Sequence, residues 1–344
     1  MVLKTQMDCL AQSGLEHARG IILHPQDVDT EYWTGAVVLQ LDSSSDNYYD
    51  VSISRTGYCN YQIQSHAYRY ESSQQIGSSK LQASLRIDPC IALSMEGDWT
   101  SERGLTINGD VYVKGWLSGL ATINGDANAK ADIYATVNIS GSKNEEVGDE
   151  IIPYPDLRYE DFKDSYYIGS DVYSPYVISN ATPLVGSYSP SVSNPAGVCY
   201  CDGDLIIASD TDITGTLVVN GHLTIDGTNI NISATKNFPA LIVSKKLKLV
   251  SFSQSQIDGL AQIKDKIEGI NILGSSGALS VNFAVNGSVF VKTDNIDGLF
   301  DFSNSLTITA YPDKAAIELW ASDGTVSRWN CTTGGAFYKS IERY

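Results

Sequence analysis

Residues 203–234 read GDLIIASDTDITGTLVVNGHLTIDGTNINISA. Glycines stand at 203, 215, 221 and 227, in steps of twelve, six and six. Two and four places beyond three of them come apolar pairs: Leu205 and Ile207, Leu217 and Val219, Leu223 and Ile225. Ile213 falls on the same grid of six, and after Gly227 the phase slips by one, to Ile230 and Ile232. Pairs spaced by two make short strands with two inward side chains each, and the glycines supply the permissive corners between them. Three such strands close a turn of ~18 residues, and stacked turns give a parallel β-helix of the hexapeptide-repeat kind.

The same pattern recurs on both sides. TINGD occurs at 106–110 and again at 122–126, and its inward positions repeat at sixteen: Ile107, Val111 and Val113, then Ile123, Ala127 and Ala129. Residues 277–291 and 305–311 resume the alternation, while the tail around Trp320 and Trp329 loses it, as expected of a terminal cap. Residues 144–196 interrupt the pattern with six prolines, Glu145, Glu146, Asp149 and a run of tyrosines. A periodless segment of that length is either functional or a clamp over the repeats.

The period differs towards the N-terminus. Leu3, Met7, Leu10, Gly14, Ala18 and Ile21 recur at helical spacing, with Lys4, Gln6, Asp8, Glu16 and Arg19 opposite, and Pro25 ends the run. Gly14 within a helix costs up to ~1 kcal/mol relative to Ala and marks a place of close packing. Between 31 and 95, YWTGAVVLQL, YYDVSISR, YCNYQIQSHAYRY and LQASLRID alternate as half-buried antiparallel strands. The expected fold is therefore mainly β: a parallel β-helix preceded by an amphipathic helix packed on an antiparallel sheet. Its expected segments are 1–24 helix, 25–96 sheet, 97–143 first turns of the β-helix, 144–196 insertion, and 197–344 main β-helix with C-terminal cap.

Composition narrows the partners. The chain of 344 residues has a net charge of −17 with only 18% charged residues, below the usual ~25%, and 20 tyrosines. That acid excess argues against nucleic acid and anionic membranes, which need Lys and Arg to neutralise phosphate, and leaves divalent cations and neutral glycans. None of the six cysteines has zinc-site spacing. Cys59 and Cys90 each close a strand-like run, and a disulfide between them is expected. Cys199 and Cys201 share one face of a strand and are expected to be buried or bound elsewhere. Disulfide use favours an extracytoplasmic location. No run of ~18 apolar residues and no signal peptide is present, so export would need a targeting segment upstream of Met1.

The acidic groups are the candidates for catalysis. Asp202, Asp204, Asp210 and Asp212 form the densest cluster and could do acid–base work on a glycosidic bond; Asp is equally a corner residue with local hydrogen bonds. Asp42, Asp46 and Asp50 could ligate calcium but lack the glycine and spacing of an EF-hand loop. His17, His24, His66 and His222 are scattered, and no hydrolase, metalloprotease, P-loop or dinucleotide motif occurs. The reading is non-enzymatic and without cofactor, calcium being the single candidate ion. Tyr154, Tyr159, Tyr166, Tyr167, Tyr173 and Tyr176 could stack on sugar rings or pin the insertion to the β-helix.

Two stretches resemble known families. AQSGLEHARGIIL at 11–23 resembles the segment that opens the soluble half of the long helix in minor pilins and pseudopilins of the PilX-like and general-secretion K-like groups. The G-x-L-x-V/I pattern from 203 onwards resembles bactofilin-like, polymer-forming β-helices. The first resemblance implies a bacterial surface protein of a type IV-like pilus or a type II secretion pseudopilus, with other pilin subunits as partners. It also implies a membrane anchor upstream of this chain and docking through the stripe Leu3, Met7, Leu10, Gly14 and Ala18. The β-helix would then serve display or adhesion, with extracellular glycans as further partners. Two alternatives stand beside it: a polysaccharide-binding or -cleaving β-helix, and a bactofilin-like self-assembling scaffold.

Overall fold

The computed structural model describes residues 2–23, 36–40, 46–57, 59–148, 155, 157–250, 252–270, 281–292, 305–310, 317–320, 326–329 and 336–343. The protein is mainly β with a single α-helix among the described residues, and it divides into two units, Met1–Pro89 with Thr332–Tyr344, and Cys90–Cys331.

In the first unit the helix Val2–Leu23 lies across the strands Asn47–Gly57, Asn60–Glu71 and Gln74–Ile87. Met7, Leu10, Ala11, Gly14, Leu15, Ala18 and Ile22 are buried, which is the three- and four-residue spacing of one helix face. They meet an alternating apolar set on the sheet: Val51, Ile53, Ile63, Ala67, Ala83 and Leu85. A lone helix of this length is marginal in water, whereas burying each large aliphatic side chain contributes ~1.5–3 kcal/mol, so packing holds it. Gly14 sits directly over the buried Ser65 hydroxyl, and a Cβ there would collide with it. Ala36–Gln40 flanks the three strands on one side, and all pairings are antiparallel.

On the other side the sheet is completed by Ala336–Arg343, paired antiparallel to Gln74–Ile87. This corrects the expected boundary: the last residues do not cap the repeats but return to the first sheet as a fifth strand. The second unit is thus inserted between two neighbouring strands of the first. Residues 317–320 and 326–329 form a separate antiparallel pair.

Among the described residues the second unit has one sheet of twenty strands, and every pairing in it is parallel. The chain returns to the same ladder after one circuit. Cys199 pairs with Leu217 and Leu205 with Leu223, eighteen residues on; Val111 pairs with Ala127, sixteen on. Leu205, Ile207, Ile213, Leu217, Val219, Leu223, Ile225, Ile230 and Ile232 are all buried. The phase slip after Gly227 is one inserted residue, since Thr211 pairs with Ile230, nineteen on. Asn229 absorbs it in a left-handed conformation (φ 57°), and its amide donates to Asp210 (2.9 Å), itself left-handed at φ 60°. Asn and Asp tolerate that region better than other residues with a Cβ. Gly221 is needed for closeness instead: a Cβ on it would run into the Gly203 backbone one circuit below.

The order of strands along the first ladder differs from their order in the chain. From one end it runs Tyr176–Ile178, Cys199–Asp202, Leu217–Asn220, Leu241–Val243, then the last residues of Gln254–Ile263 and of Asn282–Val291. It continues through Ile91–Met95, Asp110–Val113 and Ala127–Ala129 to Lys143–Asn144. The chain therefore enters the stack in its middle at Ile91 and winds outwards to Asn144. It reappears at the far end at Tyr176 and winds back until Val289–Val291 meets Leu93–Met95 and Leu306–Thr309 meets Leu105–Asn108.

Candidate functional site

The stripe expected to dock into a filament is consumed within the first unit. Met7, Leu10, Gly14 and Ala18 are buried against the sheet, and Leu3, half-buried, covers Gly77. An apolar stripe packs on the nearest apolar face, and the sheet supplies one. The helix's other side is the one left exposed. Val2, Thr5, Gln6, Cys9 and Ser13 are exposed there and, with Met7, Leu10 and Asn47, line a groove of about 640 Å³. The flank is tied down by Ser79, whose hydroxyl donates to Asp8 (2.6 Å), and by the contact between the Tyr49 hydroxyl and His17 Nδ1 (3.4 Å).

In the second unit, the residues from Leu157 to Tyr173 form a strap against the outward column of the first ladder. That column runs Val177, Tyr200, Val218, Ile242, Gln262, Phe290, Ser94, Tyr112 and Asn128 in consecutive register. Leu157, Phe162 and Tyr166 of the strap are buried on it, together with Tyr200, Val218, Phe238, Ile242, Leu260 and Phe290. Gln262 lies fully buried at the centre. Its amide accepts from Leu157 N (3.2 Å) and donates to Leu157 O (2.7 Å), satisfying both backbone groups of a residue the strap would otherwise bury unpaired.

The six tyrosines named from sequence divide accordingly. Tyr154 lies outside the described residues. Tyr166 is buried edge-on to Phe238; its hydroxyl donates to Asn194 Oδ1 (2.6 Å) and accepts from Ala196 N (3.2 Å), and burial pushes its pKa up to about 12. Tyr159 and Tyr173 are half-buried against the same cluster, with Lys264 Nζ 5.7 Å from the Tyr159 ring centre. Tyr167 is half-buried on the strap's short hairpin, and Tyr176 opens the end strand. Tyr159, Tyr166 and Tyr173 are thus brought together to hold the strap.

The acidic cluster serves the corners. Asp204 accepts from His222 N (2.8 Å), Asp202 from the Asn220 amide (2.7 Å), and Asp202 also faces Lys163 (3.5 Å). The TINGD repeat does the same: Asp110 accepts from Cys90 N (2.7 Å) and Asp126 N (2.9 Å), and Asp126 from Ser142 N (2.7 Å). Asparagines in the same repeat stack, Asn124 donating to Asn108 (2.8 Å) and Asn108 to Thr309 (3.2 Å). Among the described residues no group of three or more His, Cys, Asp or Glu could hold a metal ion. Of the calcium candidates, Asp50 faces His66 (3.5 Å), Asp46 is exposed, and Asp42 lies outside the described residues.

Cys59 and Cys90 are both in disulfide form. Cys199 and Cys201 are free and buried, and burial pushes the Cys199 thiol up to about 12. Cys9 is free and exposed on the helix. Sequence reading passed over one further group, the rings of Tyr48, Tyr68 and Tyr70, which alternation registers only as strand positions.

No family model matches the chain, and no curated protein matches it. Among solved structures, it is similar to the competence-associated pilin ComZ from Thermus thermophilus, at 12% identity and a TM-score of 0.28, over 100% of this chain and 98% of that one. A TM-score that low carries neither fold nor function from one chain to the other. Among the described residues no helix is long and apolar enough to cross a membrane.

Proposed function

We propose that this chain is the extracytoplasmic part of a pilin-like subunit whose parallel sheet winds as a β-helix displayed for interaction. The observation that carries it is the helix Val2–Leu23, with one face sealed on an antiparallel sheet and the other left as a continuous exposed strip. The AQSGLEHARGIIL pattern at 11–23 falls within that helix. Filament contacts then run through Val2, Thr5, Gln6, Cys9 and Ser13 rather than through the buried stripe. The disulfide form of Cys59 and Cys90 fits an oxidising compartment. The role is non-enzymatic: Asp202, Asp204, Asp110 and Asp126 hold corners and neighbouring amides, which gives no support to glycoside cleavage.

The test is the sheared surface fraction of the source cells. The subunit reading expects this protein there, joined at its N-terminus to an apolar segment of ~20 residues. A gene product without such a segment, or one found only in the soluble cell fraction, removes the reading.

One observation favours a second reading, end-to-end self-assembly. Among the described residues nothing pairs with the outer edges of Tyr176–Ile178 and Leu184–Tyr188 at one end of the stack, or of Asn138–Ile139 at the other. Electron microscopy of the chain lacking its N-terminal helix would decide: polymers support the scaffold, monomers exclude it.

A further inference from the structure

The winding of the second unit brings together lysines that the sequence holds far apart. Along the first ladder Val243, Ile263, Val291, Met95, Val113 and Ala129 are partners on consecutive turns. The residue after each turns the corner, and its backbone N–H donates to the strand end of the turn before. Lys264 donates to Val243, Lys292 to Ile263, Glu96 to Val291, Lys114 to Met95 and Lys130 to Val113. These five therefore stand in one column along the stack, one to a turn, spaced by ~4.8 Å and spanning ~19 Å. The column crosses the join between the two runs of repeats, since Lys292 of one run is followed by Glu96 of the other.

Four lysines and a single glutamate leave this column positive in a chain of net charge −17. Glu96 is already engaged by Lys114, at 3.1 Å. Lys130 and Lys292 are exposed, and Lys292 has no ion-pair partner among the described residues. Two residues past the column the charge changes sign. Lys246 and Lys266 share Glu268 at 3.3 Å each, and Asp98 and Asp132 follow Glu96 and Lys130. On the turn between those aspartates Trp116 is 45% exposed, its backbone N–H held by Asp98 (3.1 Å). The surface is a narrow basic line with carboxylates along one flank and an exposed indole beside it.

We infer that this column binds a linear acidic polysaccharide, a chain of uronate sugars laid along the stack. Its carboxylates meet Lys264, Lys292, Lys114 and Lys130, and one sugar lies against Trp116. At physiological ionic strength charges beyond ~8 Å are largely screened, so the column decides locally what the net charge of the whole chain conceals. Spacing selects the polymer. A polyuronate carries one carboxylate per sugar, and a sugar unit is close in length to the distance between strands. On an extended acidic peptide, same-face carboxylates recur every ~6.7 Å and fall out of step within two turns. A folded protein, a second copy included, docks through an interface core in which lysine is depleted, whereas lysine is the centre of this surface. Duplex nucleic acid brings a second line of phosphates, which Asp98 and Asp132 repel. Single strands are held by successive rings, and phosphate is met best by the arginine fork; the column has neither. A uronate alone offers both a charge to each lysine and a C–H face to the indole. The site lies within the second unit and does not rest on the pilin reading.

The test is calorimetric titration of the full chain with hexagalacturonate, hexamannuronate, cellohexaose, oligothymidylate and hexaglutamate, at low and at moderate salt. The expected result is saturable binding of at least one hexauronate, weaker at the higher salt, with no binding of cellohexaose. It weakens about fivefold in Lys292→Gln, the worth of one exposed ion pair, and further in Lys292→Gln with Lys130→Gln. Trp116→Ala also weakens it, while Lys4→Gln, which removes the same charge from the helix of the first unit, leaves it unchanged. Thermal melts accompany each variant; should Trp116→Ala unfold the unit, the exposed Lys130 and Lys292 decide. No saturable binding of either hexauronate, tighter binding of oligothymidylate or hexaglutamate, or equal loss in Lys4→Gln and Lys292→Gln would overturn the assignment.

Discussion

Single residues in this protein act mainly on backbone groups that the winding would otherwise leave unpaired. Asp110 is buried and accepts from two backbone N–H groups, on Cys90 and Asp126. Replacing it by Ala strands both donors, and Asp110→Ala is expected to cost about 3 kcal/mol in urea unfolding, with Asp110→Asn losing less. Gly14 acts by absence: Gly14→Leu forces side-chain atoms into the space of Ser65 and is expected to cost about 2–3 kcal/mol and expose the helix to proteolysis. The thiols sort by burial. With Cys199 held protonated to about 12 and Cys201 also raised by burial, iodoacetamide at pH 8 should alkylate Cys9 and spare both, as read by peptide mass mapping. The same map should hold a linked Cys59–Cys90 peptide; either cysteine found with another partner removes that pairing.

Among elements, the strap is the one whose removal separates the roles of its tyrosines. Gln262→Leu keeps the bulk but leaves Leu157 N and O without partners, and about 2–4 kcal/mol of strap attachment should go with them. The measurement is hydrogen exchange: faster exchange confined to residues 155–173 is expected, and unchanged exchange there would show that the rings alone hold the strap. How legible each element was follows from the range of its signal. The helix, the four alternating strands and the repeats declare themselves within twenty residues, as periods of 3.6, two and six. Even the phase slip after Gly227 maps onto one real inserted residue at Asn229. Pairings between distant segments leave no such trace. Ala336–Arg343 returns to Gln74–Ile87, and nothing in AFYKSIER names that partner. The Tyr48–Tyr68–Tyr70 cluster was hidden likewise, because alternation says which side a ring faces but not which rings meet. The burial of the stripe on the sheet was hidden for a simpler reason: a sequence shows that a helix has a greasy side, not which surface takes it first.

At the level of the molecule, the second unit is closed by a join that reverses the order the chain suggests. Its two runs of repeats do not follow one another across the insertion. They meet at their opposite ends, Leu306 beside Leu105 and Val289 beside Leu93, while the strap returns the chain along the stack. The length suffices, since some thirty residues can span up to ~100 Å and nine strand spacings need only ~43 Å. The join brings Ile91–Met95, where the chain enters the stack, and Ser305–Ala310, the last strand of the parallel sheet in chain order, to the same part of it. The most direct test is a cysteine pair at Thr106 and Thr307, outward-facing partners on adjacent strands. In the oxidised Thr106→Cys, Thr307→Cys variant the winding described here predicts a disulfide-linked peptide joining the two sites. If the runs instead stacked in chain order, the two positions would lie tens of ångströms apart, ~4.8 Å for each intervening strand, and the absence of any such link would contradict it.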